Sequence, residues 1–242
     1  MIPSFAKNIL VADPDQRRSL RAAIILKRLE YNVFVATESA ELLRIADYAM
    51  PNLILLDLRM PFVGNRTCLE AIRSERGLDP VKVITTSDEA DEPLLKESLK
   101  KGANDFLVRP FGPTGLYSKV QALTETQPRE APRLRVIFRA TVTAGHTART
   151  AYATMISERG VFIRTMNPFE SGTRVTLSLD LPSAKPLVLD GEVIYQVSLN
   201  RERFSEPGMG VRFVNLPPEV KMGLKTFIES QLTGDLEPEM MI

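Results

Sequence analysis

The hydrophobic period of this chain changes once, and that change limits what the chain can fold into. Up to about residue 124, short apolar runs alternate with stretches whose apolar residues recur at helical spacing. From Val136 onward, apolar and polar residues alternate through six short stretches. A period of two suits a strand with one wet face and a period near 3.6 suits a helix, so neither pattern serves as the other. Between them lies a polar, proline-punctuated segment, Thr124-Glu-Thr-Gln-Pro-Arg-Glu-Ala-Pro132, followed by Arg133-Leu-Arg-Val-Ile-Phe-Arg139. Two domains are expected, over residues 1–127 and 135–234, with a linker at 128–134 and a tail at 235–242. A length of 242 residues agrees with two domains of ordinary size.

In the first half, Asn8-Ile-Leu-Val-Ala12 and Leu53-Ile-Leu-Leu-Asp57 are apolar runs too short for buried helices. They read as parallel strands buried on both faces. Tyr31–Ala36, Val81–Ile84 and Asp105–Val108 complete five strands. The intervening segments Asp15–Glu30, a stretch from Thr37 or Ser39 to about Tyr48, Asn65–Arg76, Glu89–Lys101 and Pro113–Glu125 read as helices. In the first of these, Arg17, Arg18, Arg21 and Lys27 are assigned to the wet face. Strands alternating with helices call for a doubly wound α/β fold with a five-stranded parallel sheet. Ligand sites in such sheets lie beyond the carboxyl ends of the strands. Asp13, Asp57, Thr85 and Arg109 all sit there. Two carboxylates suit a hard divalent cation, and a hydroxyl and a cation beside them suit phosphoryl oxygens.

These residues carry a resemblance. Ile-Leu-Val-Ala-Asp13, Leu-Ile-Leu-Leu-Asp57-Leu-Arg-Met-Pro61, Ile84-Thr85-Thr86 and Gly102-Ala-Asn-Asp-Phe-Leu-Val-Arg109-Pro-Phe111 resemble the flavodoxin-like receiver domain of two-component response regulators. The resemblance implies that Asp57 is the phosphoacceptor, served by a sensor histidine kinase. It implies that Asp13, Asp57 and the backbone carbonyl of Arg59 hold magnesium. Thr85 would be the switch hydroxyl and Phe106 the aromatic that reorients with it. Two positions depart from the family pattern: Pro14 stands where a second acid is usual, and Arg109 stands where a lysine is usual. A missing carboxylate weakens a magnesium site, and a planar, always charged guanidinium can clamp a carboxylate with two nitrogens. Two readings follow: a phosphorylated receiver with weakened metal dependence, or a pseudo-receiver with Asp57 and Arg109 locked in one state.

In the second half, Val136–Ala144, Ala151–Ile156, Val161–Thr165, Arg174–Leu181, Leu187–Leu199 and Met209–Val214 are separated by glycines and prolines. Six such strands argue for a small antiparallel β-barrel. A C-terminal helix, Glu219–Leu232, follows, with Val220, Met222, Leu224, Phe227, Ile228 and Leu232 as its packing face. Arg135-Val-Ile-Phe-Arg139, Ser157-Glu-Arg-Gly160 and Pro207-Gly-Met-Gly-Val-Arg-Phe213 resemble the PilZ domain, a bacterial module that commonly binds cyclic di-GMP. The resemblance implies that Arg135, Arg139, Ser157 and Gly160 contact that ligand. Guanidinium groups suit its phosphates and stack on its purines, and guanine N7 and O6 accept from arginine. Met155 stands where the family has an acid or amide, and Leu134 where a second arginine is frequent. A thioether is a weak acceptor beside a guanine edge. The barrel therefore reads either as a cyclic di-GMP receptor or as a degenerate module used for protein contacts. Arg129 and Arg133 read as solvated linker charges.

A net charge of +1, with 17 basic and 17 acidic residues over 1–127 and 14 and 13 over 128–242, leaves no global field for nucleic acid. No basic recognition helix is evident, so DNA binding is not expected. The single Cys68 excludes an internal disulfide, and Ser157 lacks any histidine and acid at catalytic spacing. His146 lies in a turn. No apolar run reaches membrane-spanning length and no signal peptide is recognisable, so a cytoplasmic location is expected. The chain reads as a non-enzymatic response regulator that couples a receiver to a cyclic di-GMP-binding output, governing motility or surface behaviour. The alternative is a protein-interaction adaptor with both small-molecule sites degenerate. A downstream protein partner is implied, and a homodimer stays open.

Overall fold

The computed structural model describes residues 7–128, 131–182, 186–199 and 206–234. Arg129 and the tail expected at 235–242 lie outside these residues. The chain forms two compact units, the first of residues 1–130 with 232–242 and the second of residues 131–231.

The first unit contains β1 (Asn8–Ala12), α1 (Gln16–Arg28), β2 (Asn32–Ala36), α2 (Ser39–Ala49), β3 (Leu53–Asp57) and α3 (Cys68–Ser74). It continues with β4 (Lys82–Asp88), a 3-10 turn (Glu89–Asp91), α4 (Glu92–Lys100), β5 (Asp105–Arg109) and α5 (Pro113–Thr124). The sheet runs β2-β1-β3-β4-β5, parallel at every pairing. As expected, β1 and β3 are buried on both faces. Leu10, Ile54 and Leu56 meet Leu42, Leu69 and Ile72 in one core cluster. Ile9, Val11, Leu53 and Leu55 are buried between these positions along the same strands.

Several helix ends differ from expectation, for local reasons. Asp15 is the cap of α1 rather than its first residue, accepting from the amides of Arg17 and Arg18. The cap of α2 is Glu38, which makes no side-chain bond, while the Ser39 hydroxyl donates to the Pro61 carbonyl. α3 starts at Cys68, because Val63 and Arg66 pair across a tight turn and Thr67 with Glu70 forms a capping box. Pro93 sits within the first turn of α4, so the residues before it take the tighter 3-10 form.

The second unit is a closed barrel in the order β10-β11-β8-β7-β6-β9. Its strands are β6 (Leu134–Ala144), β7 (Thr147–Ser157), β8 (Gly160–Arg164), β9 (Arg174–Leu179), β10 (Leu187–Val197) and β11 (Gly208–Phe213). All pairings are antiparallel, and closure leaves no sheet edge. β6 and β7 extend further than the sequence suggests, joined by a turn at Gly145 and an exposed His146. α6 (Pro218–Thr233) follows. Leu224, Ile228 and Leu232 form its buried stripe, whereas Met222, assigned to that face from sequence, is exposed.

Strand β11 passes very close to β8. A Cβ on Gly208 would lie 2.2 Å from the Ile163 carbonyl oxygen and 2.8 Å from the Phe162 ring. Gly208→Ala should therefore destabilise the protein by about 1–3 kcal/mol, read as a lower urea midpoint. Gly223→Ala on α6 meets nothing within 4 Å and should leave the midpoint unchanged or raise it.

Candidate functional site

The parallel sheet brings Asp13, Asp57 and Arg109 together at its carboxyl edge. Asp57 ends β3 and is 1% exposed. Its Oδ2 accepts from Arg109 Nη1 at 2.5 Å, and its Oδ1 accepts from the Arg59 amide at 2.6 Å. Arg109, which ends β5, also donates from Nε to Asp88 Oδ1 at 2.8 Å. Its Nη1 lies 3.7 Å from Asp13 Oδ2 and 3.3 Å from the Thr86 hydroxyl. One guanidinium thus ties together the ends of β3, β4 and β5. Burial pushes the Asp57 carboxyl above its ordinary value, and the Asp13 charge adds to this; the Arg59 amide and the Arg109 guanidinium pull the other way. Asp88 is held below the usual carboxylate range, first by its bond from Arg109.

Arg18 is the member of the site that sequence reasoning placed elsewhere. Its Nε and Nη2 grip Asp13 Oδ2 and Oδ1 at 3.1 and 3.0 Å, and Nη2 lies 4.0 Å from Asp57 Oδ2. The expectation that Arg18 and Arg21 face water fails, because they precede the buried Ala22 and Ile25 by one turn and lie over the same face of α1. Arg59 also contributes a side chain: its Nη2 bonds Asp88 and reaches Asp91 at 3.3 Å.

The residues present do not fit magnesium. Asp13 Oδ1 accepts from the Asp15 amide at 2.8 Å as well as from Arg18, and Oδ2 is taken by Arg18. Asp57 is engaged on both oxygens. Pro14 supplies no carboxylate. Among the described residues no three acids, histidines or cysteines are placed to hold one metal ion. Guanidinium groups hold the oxygens that a hard cation would need.

Thr85 is not brought to Asp57. It is fully buried, with its hydroxyl 2.7 Å from the Ser98 hydroxyl of α4. Side chains alternate across β4, so its neighbour Thr86 faces Arg109, while Ser87 donates to Asp91 at 2.7 Å. Phe106 is half-buried, with Lys119 Nζ 5.7 Å from its ring centre.

In the barrel, the Ser157–Gly160 turn closes on itself. The Ser157 hydroxyl bonds the Gly160 carbonyl and accepts from the Arg159 amide, both at 3.3 Å. A Cβ on Gly160 would stand 2.5 Å from the Val211 carbonyl oxygen, so only glycine fits this approach. The turn borders a cavity of about 170 Å³, also lined by Arg133, Arg159, Arg212 and Met155. Phe162 and Tyr195 stack beside it with ring centres 6.3 Å apart. Arg133, read from sequence as a solvated linker charge, is thus part of this wall. Arg135 and Arg139 are not. They lie on the outer face of β6, opposite Met155 and Tyr152. Arg212 is engaged by Glu192 at 2.8 Å.

Removing the clamp should expose the cost of burying Asp57. Arg109→Gln is expected to destabilise the protein by about 3–5 kcal/mol near neutral pH, because a buried carboxylate loses its partner. The sign with pH follows from both acids. A carboxyl raised above its unfolded value, as Asp57 is, favours folding while protonated and loses that contribution as pH rises; the substitution raises it further. Asp88, held low, contributes above the ordinary carboxylate value and loses its contribution on acidification. Both effects make the deficit of the variant shrink as pH falls toward about 4, which urea melts at several pH values will measure.

Comparisons with known proteins agree with these two folds. The response regulator receiver domain matches residues 9–121 and the PilZ domain matches residues 127–230. The alkaline phosphatase synthesis transcriptional regulatory protein PhoP of Bacillus subtilis is 29% identical over 126 residues, covering 52% of this chain and 52% of that protein. The DNA-binding response regulator MtrA of Mycolicibacterium smegmatis is 28% identical over 127 residues, covering 51% and 54%. The chain spans about half the length of these regulators. A solved structure of the chemotaxis response regulator CheY4 of Vibrio cholerae aligns with a TM-score of 0.45 at 23% identity, over 49% of this chain and 99% of that one. The first unit is a response regulator receiver domain, the second is a PilZ domain, and the chain is a receiver–PilZ response regulator.

Proposed function

We propose that this response regulator reads cyclic di-GMP through its PilZ domain, while arginines rather than a metal hold the acid pocket of its receiver. The observation that carries the ligand reading is the barrel cavity, where three arginines, the Ser157–Gly160 turn and the stacked Phe162 and Tyr195 share one wall. Aromatic faces and a glycine-lined turn accept a flat purine, and guanidinium groups accept phosphate. Arg135 and Arg139, on the adjoining outer face of β6, supply further cations for the second half of the dinucleotide. Met155 weakens recognition of the guanine edge without closing the cavity. The output is proposed to act on a downstream protein controlling motility or surface behaviour, in the cytoplasm and without DNA contact.

In the receiver, the Arg109 clamp and the Arg18 grip on Asp13 favour a pseudo-receiver held in one state. A second reading keeps Asp57 as phosphoacceptor for a sensor histidine kinase. It is favoured by a cavity of about 240 Å³ beside Asp57, lined by residues of α3 and α4, through which a donor could approach.

Titration calorimetry of the full chain with cyclic di-GMP should show saturable binding. Arg133→Ala and Arg135→Ala should each weaken it about tenfold, the loss of one charge-assisted contact. Absence of binding at tens of micromolar would remove the second-messenger reading. On the input side, incubation with acetyl phosphate and magnesium followed by intact mass should give no phosphoryl adduct with the wild type. An adduct abolished by Asp57→Ala would establish the second reading.

A further inference from the structure

Arg21 and Arg109 present nitrogens that the receiver itself does not satisfy. Arg21 Nε and Arg109 Nη2 are both buried, and neither has a hydrogen-bond partner among the described residues. The Arg109 side chain is only 9% exposed, so solvent does not readily replace a partner. Both arginines line one cavity of about 40 Å³, together with Arg18 and Asp13. Much of the remaining wall is apolar, including Ile25 and Phe111.

The charges around this cavity do not balance at Arg21. Arg18 is paired with Asp13 and Asp15, and Arg109 with Asp57 and Asp88. Arg21 has no acid partner among the described residues, and burial alone lowers its proton affinity. A half-buried guanidinium without a counter-charge is costly unless an anion meets it. Two buried N–H groups without an acceptor call for oxygen acceptors. Two guanidinium edges favour a planar, two-oxygen anion. The apolar wall favours an organic tail over a fully hydrated ion.

We infer that the receiver binds a small organic monocarboxylate, its oxygens between Arg21 and Arg109 and its alkyl end against Ile25 and Phe111. The inference is independent of the cyclic di-GMP reading. It gives the receiver a second kind of input, because Arg109 shares its guanidinium between this cavity and Asp57. An occupant of the cavity would take Arg109 Nη2 while Asp57 keeps Nη1, so both hold the same guanidinium.

The test follows the arginine Nε–H resonances of the full chain by NMR during titration with sodium acetate, sodium propionate and, at matched ionic strength, sodium chloride. Propionate and acetate should shift the Arg21 and Arg109 signals saturably, while chloride should not. Arg21→Met should weaken the carboxylate response at Arg109 at least tenfold, with a thermal midpoint equal to or above wild type, since it removes an uncompensated cation while keeping length. Arg21→Lys, which keeps the charge but loses the planar fork, should bind with intermediate strength. An absent or non-saturable shift, an equal response to chloride, or undiminished binding in Arg21→Met would each overturn the proposal.

Discussion

The receiver is organised around the contact between Asp57 and Arg109. A carboxylate that ends a strand buried on both faces cannot be hydrated, so it must be neutralised by protonation or by a partner. Arg109 supplies the partner from β5 at 2.5 Å, and the same guanidinium reaches Asp88 at the end of β4. The parallel register makes this reach short, because Asp57 stands opposite Thr86 and Asp88 opposite Arg109 in neighbouring strands. Arg18 then completes the arrangement from α1 by holding Asp13 with two nitrogens. The substitutions that depart from the family pattern act together. Losing an acid at Pro14 reduces the demand for a cation, and arginine at 109 provides a planar, permanent one.

In the barrel, close backbone approach plays the corresponding part. Gly160, Gly208 and Gly210 sit where β8 and β10 lie against β11, and a Cβ at any of them would meet a neighbouring atom at 2.5 Å or less. These contacts draw Phe162 and Tyr195 together at the rim of the cavity bounded by Ser157, Arg133 and Arg159. The wall is thus fixed by strand packing, while the arginines at its mouth are long and adaptable. Such a division suits a ligand with rigid rings and charged phosphates.

Both folds were legible in the sequence, because their apolar periods differ and because Asp13 and Asp57 end continuous apolar runs. The strand-end convergence of Asp13, Asp57 and Arg109 was legible for the same reason. Finer placement was not. Thr85 and Thr86 are adjacent, and only the pleat of β4 decides which hydroxyl faces Arg109. Arg18 and Arg21 look like solvent-facing charges until the rotation of α1 about its buried stripe is known. Arg133 reads as linker by position, yet lines the barrel cavity, while Arg135 and Arg139, chosen by motif, lie on the outer strand face. Charged side chains are long, and sequence spacing fixes where they start rather than where they end.

The central claim is that guanidinium groups take the place of a divalent cation in the acid pocket. Magnesium titration of the full chain, followed by NMR at the amides of Asp13, Asp57 and Arg59, tests it directly. The account predicts no saturable shift at these residues through the millimolar range. Saturable binding there, lost in Asp13→Asn, would contradict it.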